Sequence, residues 1–213
     1  MRGKALHRDG PALADAWDRL AEQAGQPNPF AERWFLEPSL TTHDPHGSVI
    51  LFGHSSGGKL RGLMPIGRTN SYYGYPVPHM QGWLHDNAFC GLPLVEQGHE
   101  EQFWHSLLEW VEHASRTVLF LHLSHIPDDG PVTAALRTVL RERGAPAAVV
   151  QHEERAMLAS EQHSDAYFEA AMSGKKRKEL RRQFNRLSEC GEVRCARSQT
   201  AEGLAEWIED FLK

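Results

Sequence analysis

The chain is organised around residues 173–191, which read SGKKRKELRRQFNRLSECG. From Lys175 to Arg186, seven basic residues stand against one acid, Glu179, although the whole chain carries a formal net charge of −5. The stretch has no proline and no β-branched residue and is rich in Lys, Arg, Glu and Leu, so it predicts a helix. The basic residues are Lys175, Lys176, Arg177, Lys178, Arg181, Arg182 and Arg186.

An apolar stripe runs along the same predicted helix. Leu180, Phe184 and Leu187 recur at helical spacing, so we expect the stripe to pack on a core and the basic side to face outward. Gly191 stands where a C-terminal cap belongs. A solvated charged face would show this pattern, but clustered Lys and Arg also hold coenzyme phosphates, nucleic acid or acidic lipid headgroups. The residues expected to bind an anion or cofactor phosphate are Lys175, Lys176, Arg177, Lys178, Arg181 and Arg182.

Length and composition predict a soluble globular protein of one domain or slightly more. The chain has 213 residues, of which 40% are hydrophobic and 24% charged. Its apolar runs are too short to span a bilayer, and its first ten residues lack the apolar segment of a signal peptide. Cys90, Cys190 and Cys195 follow no metal-binding spacing, so a reducing cytoplasm is the expected compartment. The negative net charge confines any nucleic-acid role to the basic helix.

The N-terminal third predicts two helices and a β-hairpin. Asp9 and Pro11 start a first helix, which Gly25 ends. A shorter helix follows near Phe30 and ends before Pro38, since the residue before a proline resists helical geometry. Two apolar strands joined by a glycine-rich turn then predict the hairpin. The two strands and the turn lie at 49–52, 59–66 and 54–58.

Residues 69–94 combine aromatic side chains with prolines and glycines, and they predict little regular structure. A long loop this rich in aromatic residues either fills a gap in the core or lines a binding cleft. Tyr72, Tyr73 and Tyr75 are the candidate residues of a substrate cleft.

The C-terminal half alternates helices with apolar strands. The clearest helix covers 100–116, and another runs from Pro131 to Gly144. Between them, residues 117–123 form a nearly continuous apolar run, TVLFLHL, which predicts a strand covered on both faces. Weaker signals predict strands at 147–151 and 193–198, a short helix at 164–172, and a last helix capped by Thr200.

The last predicted helix indicates a second domain. Its apolar face is rich enough to need a surface to pack on, so we expect the chain to be an N-terminal fragment of a longer protein. The expected domains are 1–160 and the beginning of a second, truncated domain over 161–213. A natural terminal helix docked on the core is the alternative. The face consists of Leu204, Trp207, Ile208, Phe211 and Leu212.

One segment resembles a nucleotide-binding loop. Residues 53–59, GHSSGGK, satisfy seven positions of the G-x-x-x-x-G-K-[ST] pattern after a predicted strand. Leu60 occupies the eighth position, and Gly62 and Pro65 prevent the helix whose N-terminus would hold the phosphates. The segment therefore predicts a hairpin turn.

Other catalytic and metal-binding patterns are weak or absent. His122 and His125 stand near Asp128 and Asp129, but positions 122 and 125 of a strand point to opposite faces, so we expect no metal site. The [QR]-x-x-G-x-[GA] pattern, which binds pyrophosphate between a strand and a helix in acetyl-CoA enzymes, is absent. The sequence identifies no catalytic residue.

Two parts of the chain resemble one protein family. Residues 167–213 contain a serine, then Lys-Lys-Arg-Lys-x-Leu-Arg-Arg, an Asn-Arg-Leu helix turn, a glycine and a predicted strand. This pattern resembles the opening of the acetyltransferase domain in CelD-like proteins linked to bacterial cellulose biosynthesis. Residues 27–40 and the hairpin ending in GLMPIG resemble the N-terminal half of the same proteins. These proteins belong to the GNAT superfamily and are similar to FemAB-type tandem acyltransferases.

The resemblance implies a mixed α+β fold, with a GNAT-like central mixed sheet flanked by helices and followed by the start of a second GNAT-like domain. It implies acyl transfer from acetyl-CoA or another acyl-CoA to an amine or hydroxyl of a small-molecule or polysaccharide-related acceptor, without a metal. The family's coenzyme loop and catalytic positions lie outside these residues, so we expect this chain alone to be inactive. The alternative function is a non-catalytic module that holds RNA, tRNA or another polyanion on the basic helix 174–187, with the tyrosines stacking bases.

Overall fold

The computed structural model describes residues 2–7, 11–114, 118–156, 160–195, 197 and 203–213. The chain separates into two compact units, Met1–Val150 and Gln151–Lys213. The elements of the first unit are β1 (Arg2–Leu6), α1 (Pro11–Glu22), α2 (Arg33–His43), β2 (Ile50–Ser56), β3 (Lys59–Thr69), β4 (His79–Gly82), β5 (Leu94–Val95), α3 (Glu100–Ala114), β6 (Leu121–His122) and α4 (Pro131–Glu142).

A mixed sheet forms the centre of the first unit. Its strands lie in the order β1-β2-β3-β4-β6, and all neighbours are antiparallel except β4 and β6. The parallel pair is connected through α3, as a parallel connection requires a crossover. Helices cover both faces, so the predicted class, a mixed α+β sheet flanked by helices, is confirmed.

The strand beside β3 is interrupted. β4 pairs with one half of β3, from Ile66 opposite Gly82, and β5 pairs with the other half, at Leu63 opposite Leu94. Both run antiparallel to β3, so they are two parts of one strand position. Residues 83–93 leave the sheet between them, and this segment positions the aromatic site described below.

Two hydrophobic clusters sandwich the sheet. Leu51 belongs to one cluster and its neighbour Phe52 to the other, because successive side chains of a strand point to opposite faces. Trp104 ties α3 to α4 by donating its indole N–H to the carbonyl oxygen of Val132 at 2.8 Å. The cluster on the α1 and α2 side contains Trp17, Leu20, Ala31, Leu36, Leu40, Val49, Leu51, Leu63 and Leu94. The cluster on the α3 and α4 side includes Phe52, Met64, Ile66, Phe103, Trp104, Leu107 and Val139.

The predicted hairpin is confirmed, and it excludes the nucleotide loop. β2 and β3 are joined by Gly57 and Gly58, whose φ angles are 59° and 74°. Positive φ at both positions defines the type I′ turn that suits a two-residue hairpin. Most of the GHSSGGK segment is therefore strand, and it cannot wrap a phosphate.

Helix α2 continues through Pro38, so the prediction that it ends before this residue is wrong. A proline inside a helix costs about 3 kcal/mol, but burying a leucine side chain stabilises by about 1.5–3 kcal/mol. Leu36 and Leu40 lie on either side of Pro38 and are both buried, so their packing outweighs that cost. The hydroxyl of Ser39 also donates to the carbonyl oxygen of Phe35 at 2.7 Å.

Three strand predictions differ from the structure. Residue 117 lies outside the described residues, and of 118–123 only Leu121–His122 forms a strand. Leu119 is 71% exposed, so the expectation of a strand covered on both faces is wrong. Residues 147–151 form no strand, and Val149 is 80% exposed. The described part of 193–198 contains no strand either. Apolar runs become strands only beside a neighbour that completes their hydrogen bonds, and β6 offers just two residues.

The second unit contains α5 (Ser164–Ala171), α6 (Gly174–Cys190) and α7 (Leu204–Leu212), all three predicted from sequence. No described residue of these helices is buried. Phe184 and Leu187 are 53% and 57% exposed, so the expected packing of the α6 stripe on a core is wrong for this chain. The apolar face of α7 is also uncovered. The predicted helix caps Asp9 and Thr200 lie outside the described residues.

Candidate functional site

Helix α6 carries its basic residues on an open surface. The Ser173 side chain begins the helix by accepting a hydrogen bond from the backbone N–H of Lys176 at 3.4 Å. The residues that surround the open surface are Lys178, Arg181, Arg182, Asn185, Arg186 and Glu189. They recur at intervals of three and four residues, so they share one side of the helix, opposite the Leu180 stripe.

Two of the predicted anion-binding residues already have partners. Arg182 donates to the carboxylate of Glu179 at 2.7 Å, which raises the pKa of Arg182 and lowers the pKa of Glu179. An exposed pair of this kind is weak, so an incoming phosphate can replace Glu179. Arg177 instead donates to the carbonyl oxygens of Glu169 and Met172, at 2.6 and 2.8 Å. It fixes the turn between α5 and α6 and keeps fewer N–H groups for an anion.

The three candidate cleft tyrosines have different surroundings. Tyr72 and Tyr75 exchange backbone hydrogen bonds of 2.9 and 3.0 Å across a tight turn at Tyr73 and Gly74. Tyr73 has a φ of 49°, an uncommon conformation for a non-glycine residue. Tyr73 and Tyr75 are 73% and 71% exposed, whereas Tyr72 is half-buried. Tyr72 therefore fills a gap in the packing, and the ligand contacts of the other two stay a prediction.

Tyr72 packs into a cluster of imidazole and aromatic rings at the start of β4 and β6. Its ring centre lies 5.2 Å from that of His79, 5.0 Å from Phe120 and 5.5 Å from His122. His79 is buried, and its Nδ1 lies 3.0 Å from the carbonyl oxygen of Val77, so Nδ1 carries the proton. Burial, followed by the nearby His79, lowers the pKa of His122 and favours its neutral form.

Metal binding gains no support at the His122 and His125 cluster. Asp128 forms an ion pair with Arg137. Across the described ranges, no group of three or more His, Cys, Asp or Glu side chains could hold a metal ion.

The turn from β5 to α3 does not fit coenzyme phosphates. Glu96 lies in this turn and forms an ion pair with Arg61 of β3. Glu100 and Glu101 occupy the first turn of α3. A helix N-terminus attracts anions through its free N–H groups, but carboxylates at the same place repel them. Together with the missing glycine pattern, these carboxylates give no support to a phosphate site at this turn, and phosphate binding by α6 stays a prediction.

Sequence analysis missed a row of four aromatic rings on the first unit. Trp34 contacts Phe35, Phe35 contacts Phe30, and Phe30 contacts Phe89, with ring centres 5.8, 5.1 and 5.7 Å apart and all three contacts edge-to-face. We call these four residues the aromatic row. Trp34 and Phe89 are 64% and 58% exposed. The sequence signal that could have revealed the row is Trp34. It is a large aromatic residue on a different side of α2 from the buried Leu36 and Leu40.

Asn28 fixes the row in place. Its buried side-chain amide donates to the carbonyl oxygens of Cys90 and Leu92, at 3.3 and 2.6 Å. Its side-chain oxygen accepts from the backbone N–H of Phe30 at 3.1 Å. The residues just before α2 are therefore tied to the segment 83–93 by the hydrogen bonds of this side chain.

His85 adjoins the row beside a small pocket. Its ring stacks on His43 at 4.4 Å and on Phe35 at 5.6 Å. Its Nε2 is buried and has no hydrogen-bond partner in the described structure. Burial, followed by the nearby His43, lowers the pKa of His85, so its imidazole is favoured neutral. The pocket is lined by residues that include Phe30, Leu36, His85, Ala88 and Cys90.

Comparison with known proteins assigns no family. No family profile and no curated protein matches the chain. A GNAT family acetyltransferase from Staphylococcus aureus has a TM-score of 0.45 and 11% identity, over 73% of this chain and 97% of that chain. A ribosomal-protein-alanine N-acetyltransferase from Brucella melitensis has a TM-score of 0.43 and 16% identity, over 73% and 100%. An aminoglycoside 6'-N-acetyltransferase from Acinetobacter haemolyticus has a TM-score of 0.39 and 12% identity, over 77% and 100%.

These similarities are too low to carry an argument about the function of this chain. Separately, none of the helices in the described parts of the chain has the length and apolar character needed to cross a bilayer.

Proposed function

We propose that this chain belongs to a GNAT-type acyltransferase, as its N-terminal part, and that the enzyme transfers an acyl group from acyl-CoA to an amine or hydroxyl acceptor. The observation that carries the proposal is the order of elements. The basic helix α6 follows β1, two helices, a hairpin, an aromatic-rich segment with β4, then β5, α3, β6, α4 and α5, in that order. This order agrees with the one on which the resemblance to CelD-like and FemAB-type proteins was based in its helices, hairpin and aromatic-rich segment, but it lacks the strand expected at 147–151.

Residues 161–213 are, in this proposal, the beginning of a second domain that contributes the coenzyme site. Two observations support it. The described helices of the second unit bury no residue, and Trp207 and Phe211 on α7 are 46% and 87% exposed. Amphipathic helices gain most of their stability from packing their apolar face, so these helices require a further surface.

The basic face of α6 would hold the phosphates of the donor. Acyl-CoA supplies a thioester whose carbonyl carbon is attacked by the acceptor while the coenzyme thiolate leaves. Binding the donor's phosphates would hold that thioester in a fixed orientation. The acceptor then attacks a positioned group, which lowers the entropic part of the activation barrier. Arg181 and Arg186 are suited to this because guanidinium groups bind phosphate through paired N–H donors. We assign no catalytic residue in this chain.

Calorimetric titration of the chain with coenzyme A and acetyl-CoA tests the proposal. We expect binding that weakens with added salt, since exposed charges are screened. Replacing Arg181 and Arg182 together with alanine should weaken it by about tenfold, because charged hydrogen bonds contribute about 1.5–3 kcal/mol each before screening. Arg194→Ala is the matched control, because Arg194 is an exposed arginine of the same unit outside the basic face.

Two outcomes would contradict the proposal. Absence of coenzyme binding at low salt, with α6 intact by circular dichroism, would remove its basis. Equal weakening by Arg194→Ala would show that only overall charge matters. Single-stranded RNA titrated in parallel addresses the alternative binding module, which gains no support from Tyr72 because its ring is already packed against His79 and Phe120.

A further inference from the structure

The aromatic row exposes a continuous apolar surface with a polar edge. Its two ends, Trp34 and Phe89, are each more than half exposed, while Phe30 and Phe35 lie partly buried between them. Single exposed apolar residues are ordinary, but contiguous apolar surface edged by polar groups marks a binding site. A bound ligand would explain this contiguous apolar surface, whereas scattered exposed residues need no such explanation.

The rings are held in fixed orientations. The indole N–H of Trp34 donates to the carboxylate of Glu32 at 2.7 Å, which restrains rotation of the ring. Each ring also meets the next one edge-to-face, an arrangement that aromatic quadrupoles favour. A surface that is already ordered loses little conformational entropy when a ligand binds.

The charges around Trp34 are mainly negative. Arg33 binds Asp18 at 2.8 Å and Glu37 at 3.1 Å, and Glu32 contacts the indole itself. Hydrogen bonding to Arg33 lowers the pKa of Asp18, and hydrogen bonding to Asp18 and then to Glu37 raises the pKa of Arg33. Three carboxylates thus stand against one guanidinium, which leaves a net negative edge that repels anions and attracts cations.

We propose that the aromatic row and its carboxylate edge form a binding site for an organic ammonium group. A cation over the face of a tryptophan is attracted by the negative face of the ring, and nearby carboxylates add to the attraction. The two features required for such recognition, exposed aromatic faces and a net negative edge, coincide at Trp34. An uncharged apolar ligand would use the rings but would gain nothing from Glu32 and Glu37.

The ammonium is bound here as an anchor and does not react. A protonated or quaternary nitrogen has no lone pair, so it cannot attack a thioester while it is held as a cation. The site therefore holds a charged group of a ligand apart from any acyl transfer. The inference does not depend on the proposed acyltransferase activity, because it involves only the first unit.

Choline and its neutral isostere 3,3-dimethylbutan-1-ol provide the test. They share nearly the same shape and differ in one positive charge. We expect choline to shift the Trp34 indole N–H resonance of the whole chain and to bind about tenfold more tightly than the isostere. In Trp34→Ala, choline should no longer shift the resonances of residues near position 34. Glu32→Gln or Glu37→Gln should each weaken choline binding by about threefold and make the affinity less dependent on salt.

Trp207→Ala is the control, because Trp207 is also a partly exposed tryptophan and is not a member of the row. We expect this variant to bind choline like the parent chain. Equal affinity for choline and its neutral isostere would overturn the proposal in favour of plain apolar contact. Unchanged choline binding by Trp34→Ala, or no shift at millimolar choline, would overturn it as well. Since Trp34 is mostly exposed, its replacement should leave the fold intact, which far-ultraviolet circular dichroism checks.

Discussion

Replacing Gly91 with alanine should lower the free energy of unfolding of the first unit by about 3 kcal/mol, the upper end of the usual cost of overpacking. The added Cβ would lie 2.1 Å from the backbone oxygen of Ser124, an atom that no side-chain rotation can move away. The N–H of Gly91 also donates to the carbonyl oxygen of His125 at 2.9 Å, and that hydrogen bond would break as the segments separate. Urea unfolding followed by circular dichroism measures the loss.

Gly67→Ala is the control for this substitution. Gly67 lies in β3, and a Cβ there would find its nearest neighbour, a carbon of Trp83, at an ordinary contact distance of 3.6 Å. We expect a change within about 0.5 kcal/mol. An unchanged unfolding midpoint for Gly91→Ala would mean that the segment 83–93 does not pack against residues 124–125 as the structure describes.

Helices were predictable because their signals are local. The faces of α3 and α4 could be recognised from spacing alone, and buried Phe103, Leu107 and Val139 lie on those faces. Pro131 starts α4 as predicted, and Gly144 follows it with a φ of 58°, the left-handed conformation expected after a helix end. No distant partner is needed to read these features.

Strands were less predictable because their partners lie far away in sequence. β1 pairs with β2 across about fifty residues, and neither its composition nor its length marks it as a strand. β4 falls inside the segment expected to be irregular, yet it is held by β3 on one side and β6 on the other. Conversely, residues 147–151 have the composition of a strand, but no strand of the described structure pairs with them.

The two candidate surfaces also differ in whether their residues are close together or far apart in the sequence. The basic face of α6 is visible in composition, because all of its residues lie within one short stretch. The aromatic row joins Phe30 to Phe89, and its carboxylate edge brings Asp18 to Arg33. These contacts depend on the interrupted strand and on the path of 83–93, which no local pattern reveals. For that reason the sequence predicted a ligand contact at Tyr72, which is packed against other rings, and did not predict one at Trp34, which is exposed.

Acidification below pH 6.5 should progressively destabilise the first unit. Burial is the main cause that lowers the pKa values of His54, His85 and His122 in the folded chain. In the unfolded chain these imidazoles take up protons near pH 6.5, whereas in the folded chain they do so only at lower pH. Between the two values the unfolded state binds more protons, so the free energy of unfolding falls as the pH falls and recovers above pH 6.5.

His54 gives this prediction its strongest case. Its side chain is fully buried, its Nδ1 lies 2.9 Å from the hydroxyl of Ser106, and its Nε2 has no hydrogen-bond partner in the described structure. Burial is the largest cause that lowers the pKa of His54, followed by the nearby His99. One such histidine changes the free energy of unfolding by at most about 1.4 kcal/mol per pH unit.

Urea unfolding of the parent chain and of His54→Gln, at several pH values between 5 and 8, measures that slope. The glutamine can still bond to Ser106 but cannot be protonated, so the variant should lose stability less steeply on acidification. His46→Gln is the matched control, because His46 is an exposed histidine and loses little hydration on folding. Equal slopes for the parent chain and His54→Gln would show that the buried imidazole of His54 does not control the acid sensitivity.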